Sequence, residues 1–236
     1  MVNWVDMQST NVTYLTNGVQ EIVRQRVLVP RLKTDWDLTE VAFFGSADIE
    51  PEDPLYQEAM AAAQLLAENG KIIVNGGGPG IMEASTRGAA AAGGETLGIT
   101  FYPEDMPAFE GRDNGNLVDK EIKTTNYIER MMALLSESDV FVCFKGGTGT
   151  LSEWSTAWLL AHLYYPNHKP LFLYGDFWEE FLQKAEELFM IGEEERLVYK
   201  IVKSKEELLD AIHEQEEIFR QHRAEAGTEE ANPDTN

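Results

Sequence analysis

Two charged side chains are candidates for chemistry: Glu153, a carboxylate just beyond a glycine-rich turn, and Arg130, a cation near the start of the preceding helix. Just ahead of the acid runs Lys145-Gly146-Gly147-Thr148-Gly149-Thr150, which follows the apolar stretch DVFVCF at 139–144. Glycines at a strand-to-helix turn let backbone amides approach a ligand closely. The helix that follows adds unpaired N–H groups and a partial positive charge. With the hydroxyls of Thr148 and Thr150 as further donors, the loop suits a phosphate. Gly45-Ser46 and Gly76-Gly77-Gly78-Pro79-Gly80 also follow apolar stretches. If those stretches are parallel strands, all three turns lie at one edge of one sheet.

Each of these residues also has a plain local reading. The glycines would serve tight turns and helix packing. Thr150-x-x-Glu153 has the form of a capping box, in which the acid bonds back to the first amide of its own helix. Arg130 would be a solvated surface cation, although its helical neighbours Asn126, Tyr127, Ala133 and Leu134 include no acid to pair with it. Glutamine separates the first two readings for Glu153. It caps a helix nearly as well, but it cannot act as a carboxylate.

The elements that must position these groups alternate along the chain. Strands are expected at 41–45, 71–75, 95–101, 117–123, 139–144, 170–174 and 197–202. Helices are expected at 54–70, 81–92, 125–137, 150–164, 177–191 and 205–220. Strands of nearly continuous apolar character, joined by helices, imply a single α/β domain over 40–222. Its expected architecture is Rossmann-like and doubly wound, a mostly parallel sheet flanked by helices. Ligands of such sheets bind beyond the carboxyl ends of the strands. Residues 1–39 form an N-terminal extension with an amphipathic helix expected over 10–29, and 223–236 an acidic tail expected to be disordered.

Composition removes several classes. Against 19 Lys and Arg stand 41 Asp and Glu, a formal charge of −22, which disfavours nucleic-acid polymers and anionic membranes. A small anion must then be held by local dipoles and a few cations. The single cysteine, Cys143, excludes internal disulfides, and its place in a strand marks it as a buried, inert thiol. The start of the chain lacks the basic and apolar regions of a secretory leader, so the cytoplasm is expected. His162, His168, His213 and His222 lack metal-ligand spacing, so no metal is expected. There is no GxxxxGK[ST] loop, and neither glycine loop completes G-x-G-x-x-G. Glu104 lies at a ribose-contacting distance after Gly80, which is weak support for a dinucleotide. Lys145 offers a phosphate contact or a Schiff-base amine, with no partner for a pyridinium nitrogen. Trp154 and Trp158 share one helical face and point to core or dimer packing rather than base stacking.

The stretches 43–56, 76–99 and 130–153 resemble the LOG (Lonely Guy) family, over roughly residues 40–190. The family hallmark PGGxGTxxE is matched from Gly146 to Glu153 after its first position, and Arg130 has the family's spacing. Lys145 replaces the usual Pro, and Met131 stands where many members have Lys. The resemblance implies a phosphoribohydrolase, which cuts a nucleoside 5′-monophosphate into free base and ribose 5-phosphate without cofactor or metal. It implies a 5′-phosphate on Gly146–Thr150, Glu153 facing the ribose and Arg130 holding the substrate. Gly45, Ser46, Gly76, Gly77 and Gly78 would complete the contacts, and a homodimer is implied. A non-catalytic carrier of a nucleotide or phosphorylated cofactor on the same fold is the alternative.

Overall fold

The computed structural model describes residues 38–103, 112–166 and 168–230. The helix expected over 10–29, Glu104 and residues 231–236 lie outside the described residues. In chain order the elements are β1 (Glu40–Phe44), α1 (Pro54–Glu68), β2 (Ile72–Asn75), α2 (Ile81–Ala91), β3 (Thr96–Phe101), β4 (Lys120–Thr124) and α3 (Tyr127–Glu137). There follow β5 (Val140–Cys143), α4 (Thr148–Leu163), β6 (Leu171–Tyr174), α5 (Phe177–Leu188), α6 (Glu193–Arg196), β7 (Tyr199–Val202) and α7 (Lys205–Glu230).

The strands form one seven-stranded sheet in the order β4-β3-β2-β1-β5-β6-β7, and every pairing is parallel. Successive side chains of a strand face opposite sides, and both sides are covered here. Val41, Phe43, Ile73, Val142 and Phe144 pack into one apolar layer with α1, α2 and α7. Ala42, Phe44, Val74, Phe141 and Cys143 pack into the other with α3, α4 and α5. This two-faced burial explains why the strands read as unbroken apolar runs. The chain first builds outward from β1 to β4, then crosses back and builds from β5 to β7. The reversal opens a crevice between the carboxyl ends of β1 and β5.

Local chemistry sets the boundaries. Asp53 caps α1 by accepting from the Leu55 amide at 2.8 Å, and Pro54 takes the first helical position. The fourth strand starts at Lys120 rather than 117, because Asp119 is drawn into bonds with the amide and hydroxyl of Thr96, both at 2.8 Å. The same strand is the sheet edge and carries Lys120, Glu121 and Lys123, which discourage further pairing. The last helix runs on to Glu230, so the first part of the tail expected to be disordered is helical.

Lys71, at the foot of β2, ties that helix to the sheet. Its Nζ lies 2.5 Å from Glu216 Oε1, both side chains are buried, and the Leu38 amide donates to the same oxygen at 3.3 Å. Removing one partner of such a pair strands a buried charge. Lys71→Met is therefore expected to lower stability by about 3–5 kcal/mol in urea titrations. The double variant Lys71→Met/Glu216→Leu is expected to recover most of that loss. A double variant as unstable as the single one would contradict this account.

Candidate active site

The crevice holds a cleft of ≈ 210 Å³, lined among others by Ser46, Gly76, Arg130, Gly147, Thr148 and Glu153. One wall of it is the start of α4. That helix begins at Thr148 with Gly147 as N-cap, two residues earlier than expected. Its first in-helix bond runs from the Leu151 amide to the Gly147 carbonyl at 3.0 Å, which leaves the amides of Thr148, Gly149 and Thr150 without a helical acceptor. No side chain caps the terminus, and its first turn holds no acid. A Cβ on Gly147 would meet nothing within 4 Å, so this residue faces open space in the cleft. Gly146 does a different job. A Cβ there would lie 2.2 Å from Thr150 Oγ1 and 2.8 Å from the Ser46 amide nitrogen, so its bareness lets the first and fifth strand turns touch.

The capping-box reading of Glu153 does not hold. Thr150 lies inside the helix rather than at its cap, and the charged partner of Glu153 comes from another helix. Its Oε1 lies 3.7 Å from Arg130 Nη1, with both side chains buried. Burial raises the Glu153 carboxyl from 4.5 to about 7, and the pull of Arg130 in the other direction only partly offsets it. The acid therefore titrates near neutrality.

Arg130 is no surface cation. Helix α3 is capped by Asn126, whose side chain accepts from the Glu129 amide at 2.9 Å, and Arg130 sits in the first turn beyond it. A helical side chain tilts toward the N-terminus, and this one reaches across the sheet edge. Nε donates to the Ile99 carbonyl at 3.0 Å and Nη2 to the Gly76 carbonyl at 3.2 Å. With those two nitrogens bound to main chain, Nη1 faces Glu153. The guanidinium is locked in place before any ligand arrives. Gly76 is shaped around it, since a Cβ there would fall 1.5 Å from Nη2.

Of the expected contacts, Gly45, Ser46, Gly76, Gly147, Thr148, Gly149, Thr150, Arg130 and Glu153 all line the cleft. Gly77 and Gly78 do not. They carry the loop that follows β3: the Gly77 carbonyl accepts from the Asp113 amide at 2.9 Å, and the Gly78 carbonyl from Asn116 Nδ2 at 2.8 Å. Gly146 supports the cleft without lining it. Lys145 is exposed, with its ammonium 5.8 Å from the Phe177 ring centre. Cys143 is fully buried, and burial above all drives its thiol well above the usual range. Trp154 and Trp158 stack at 4.9 Å, and Trp154 also packs on Trp178 and Phe181, as core rather than ligand platform.

Six lining residues escaped the sequence reading: Phe43, Phe44, Ala47, Asp48, Met82 and Tyr127. Asp48 carries a readable signal, since it lies two residues beyond Gly45-Ser46 in a tight turn. Met82 and Tyr127 follow helix caps at Gly80 and Asn126. Among the described residues no group of three or more His, Cys, Asp or Glu is placed to hold a metal ion, and no helix is long and apolar enough to cross a membrane.

The all-parallel doubly wound sheet and the matches to known proteins place the chain in the SLOG/LOG superfamily. The chain belongs to the SLOG cluster4 family, whose model matches residues 38–220. An uncharacterized protein of Archaeoglobus fulgidus is 30% identical over 116 residues, which cover 49% of this chain and 71% of that protein. The cytokinin riboside 5′-monophosphate phosphoribohydrolase of Mycobacterium tuberculosis is 30% identical over 129 residues. That match covers 55% of this chain and 65% of the relative, short of two thirds of its length. Among solved structures, the molybdenum cofactor binding protein of Rippkaea orientalis superposes with a TM-score of 0.55 at 26% identity, covering 75% of this chain and 96% of its own.

Proposed function

We propose that the protein hydrolyses the N-glycosidic bond of a nucleoside 5′-monophosphate, giving free base and ribose 5-phosphate. One observation carries this reading: a buried carboxylate titrating near 7 lies across from a fixed guanidinium, one helical turn beyond three unpaired amides. A protein that only held a phosphate would gain nothing from an acid beside the anion. The named activity of the mycobacterial relative supports the same reading.

The phosphate would rest on the amides of Thr148, Gly149 and Thr150, which places the ribose over Glu153. The cleft of ≈ 210 Å³ is smaller than the ~300 Å³ at which drug-sized pockets begin. That size suits a ribose phosphate with the base at the mouth. As the C1′–N bond breaks, its electron pair leaves with the base and positive charge grows on the ribose ring. Ionised Glu153 stabilises that charge and takes a proton from the water that attacks C1′. The proton then passes to the departing base. Arg130 acts as a positioning residue, holding Glu153 and its charge state. The exposed Leu151, Leu159 and Leu163 of α4 offer an apolar face for a second copy of the chain, in support of a homodimer.

The second reading is a carrier that binds a phosphorylated cofactor without turnover, favoured by the likeness to the Rippkaea orientalis protein. Incubation with AMP, GMP, CMP and isopentenyladenosine monophosphate separates the two. Free base and ribose 5-phosphate, quantified by chromatography, are expected from at least one. Tight binding with no release from any would give the carrier reading the site.

A further inference from the structure

We infer that Asp48 reads the base, and that the preferred ligand presents a 2-amino-4-oxopyrimidine edge, as guanine does. This rests on the proposed seating of the phosphate on α4.

The turn that carries Asp48 is pinned from three sides. The Ser46 amide donates to the Lys145 carbonyl at 3.0 Å, the Ser46 carbonyl accepts from the Ile81 amide at 2.9 Å, and the Ser46 hydroxyl accepts from the Asp48 amide at 3.1 Å. Asp48 thus lines the cleft on a rigid turn, exposed, and its carboxylate has no hydrogen bond or ion pair among the described residues. It repels phosphate, so it sets the ligand's direction: phosphate to the bare helix terminus, base to Asp48.

The chemistry of the acid then selects the base. An ionised carboxylate only accepts hydrogen bonds, through two oxygens. It matches an edge with two adjacent N–H donors. Guanine offers them at N1 and its 2-amino group. Hypoxanthine keeps the first and lacks the second. Adenine and cytosine set a ring-nitrogen lone pair beside a single amino group, so one carboxylate oxygen would face an acceptor. Met82 and Tyr127, which also line the cleft, give apolar and aromatic surface for a flat ring. The same donor edge occurs in pterins, so a pterin phosphate is a second source of this chemistry.

The test uses the full chain and its Asp48→Asn variant, with binding measured calorimetrically at pH 7 for GMP, IMP and AMP. Wild type is expected to bind GMP roughly 10- to 100-fold tighter than IMP, the worth of one charge-assisted hydrogen bond. In Asp48→Asn that ratio is expected to fall to within about threefold and the AMP-to-GMP affinity ratio to rise, since an amide offers a donor beside its acceptor. A wild-type ratio near one, or an unchanged ratio in the variant, overturns the inference. Neopterin monophosphate is the fourth probe; tighter binding than GMP assigns the edge to a pterin, and weaker binding to the nucleotide. Guanine release is read separately. A GMP preference without release sinks the hydrolase reading and leaves the role of Asp48 standing, whereas release with no base preference does the opposite.

Discussion

Glu153→Gln is expected to fold, to bind nucleotide, and to lose base release by on the order of 10²–10⁴-fold, the usual worth of a positioned acid–base group. Glutamine keeps the shape of the protonated acid, so packing beside Arg130 survives. What disappears is the negative charge that would face the developing cation. Two pH dependences separate this from a packing defect. Glu153 works when ionised, so wild-type release should rise with pH through about 7 and level off above it. The residual rate of the variant should lack that limb. Stability runs the other way. The folded carboxyl, at about 7, holds its proton more tightly than the unfolded one at 4.5, so the folded state loses stability as pH rises between those values. Glutamine never ionises and escapes the loss. From pH 5 to pH 8 the stability difference should move in favour of Glu153→Gln by about 2–3 kcal/mol, read from urea midpoints. A difference flat across that range would mean an acid already ionised at pH 5, and the proposed electrostatics would go with it.

The parallel sheet was readable because β1, β2, β3, β5 and β6 are buried on two faces and so read as short apolar runs, whereas the edge strand β4 is mostly exposed and its start could not be placed from its pattern. The candidate cleft was readable where spacing fixes it: Gly147–Thr150 and Glu153 fall at the start and in the second turn of α4, and Arg130 near a helix start. The rest depends on contacts between distant segments. Nothing local distinguishes Gly76, which bounds the cleft, from Gly77, which carries the Asp113 loop; the difference lies in whether Arg130 or Arg112 occupies the neighbouring space. The capping-box pattern at Thr150 failed for a related reason. The helix starts two residues earlier, at a glycine loop without a capping side chain, and the acid is claimed by a residue far away in sequence. The helical continuation past Ala224 escaped because acidic composition says nothing of a helix already nucleated on the sheet.

Gly76→Ala and Gly147→Ala, one methyl group each, should fail in opposite ways. At Gly76 the new Cβ falls 1.5 Å from Arg130 Nη2 and 2.5 Å from Cζ, so the guanidinium must leave its seat. It then gives up the Gly76 and Ile99 carbonyls, and Glu153 loses the one charge that pulls its carboxyl downward. Displaced hydrogen bonds at a buried strand edge should cost about 2–4 kcal/mol of stability. Base release should fall at least ~100-fold as the ionised fraction of Glu153 shrinks. The α4 amides are untouched, so affinity for ribose 5-phosphate should change little. At Gly147 the new methyl meets nothing within 4 Å and the backbone, at φ −93°, accepts alanine, so stability should stay within about 0.5 kcal/mol of wild type. The methyl would, however, stand in the path of the phosphate, and ribose 5-phosphate affinity should fall about tenfold or more. Urea titration and calorimetry on the two variants give a crossed pattern. Equal losses of stability would contradict the seat assigned to Arg130 at Gly76, and unimpaired ribose 5-phosphate binding in Gly147→Ala would remove the phosphate from α4 and with it the register that brings a ribose to Glu153.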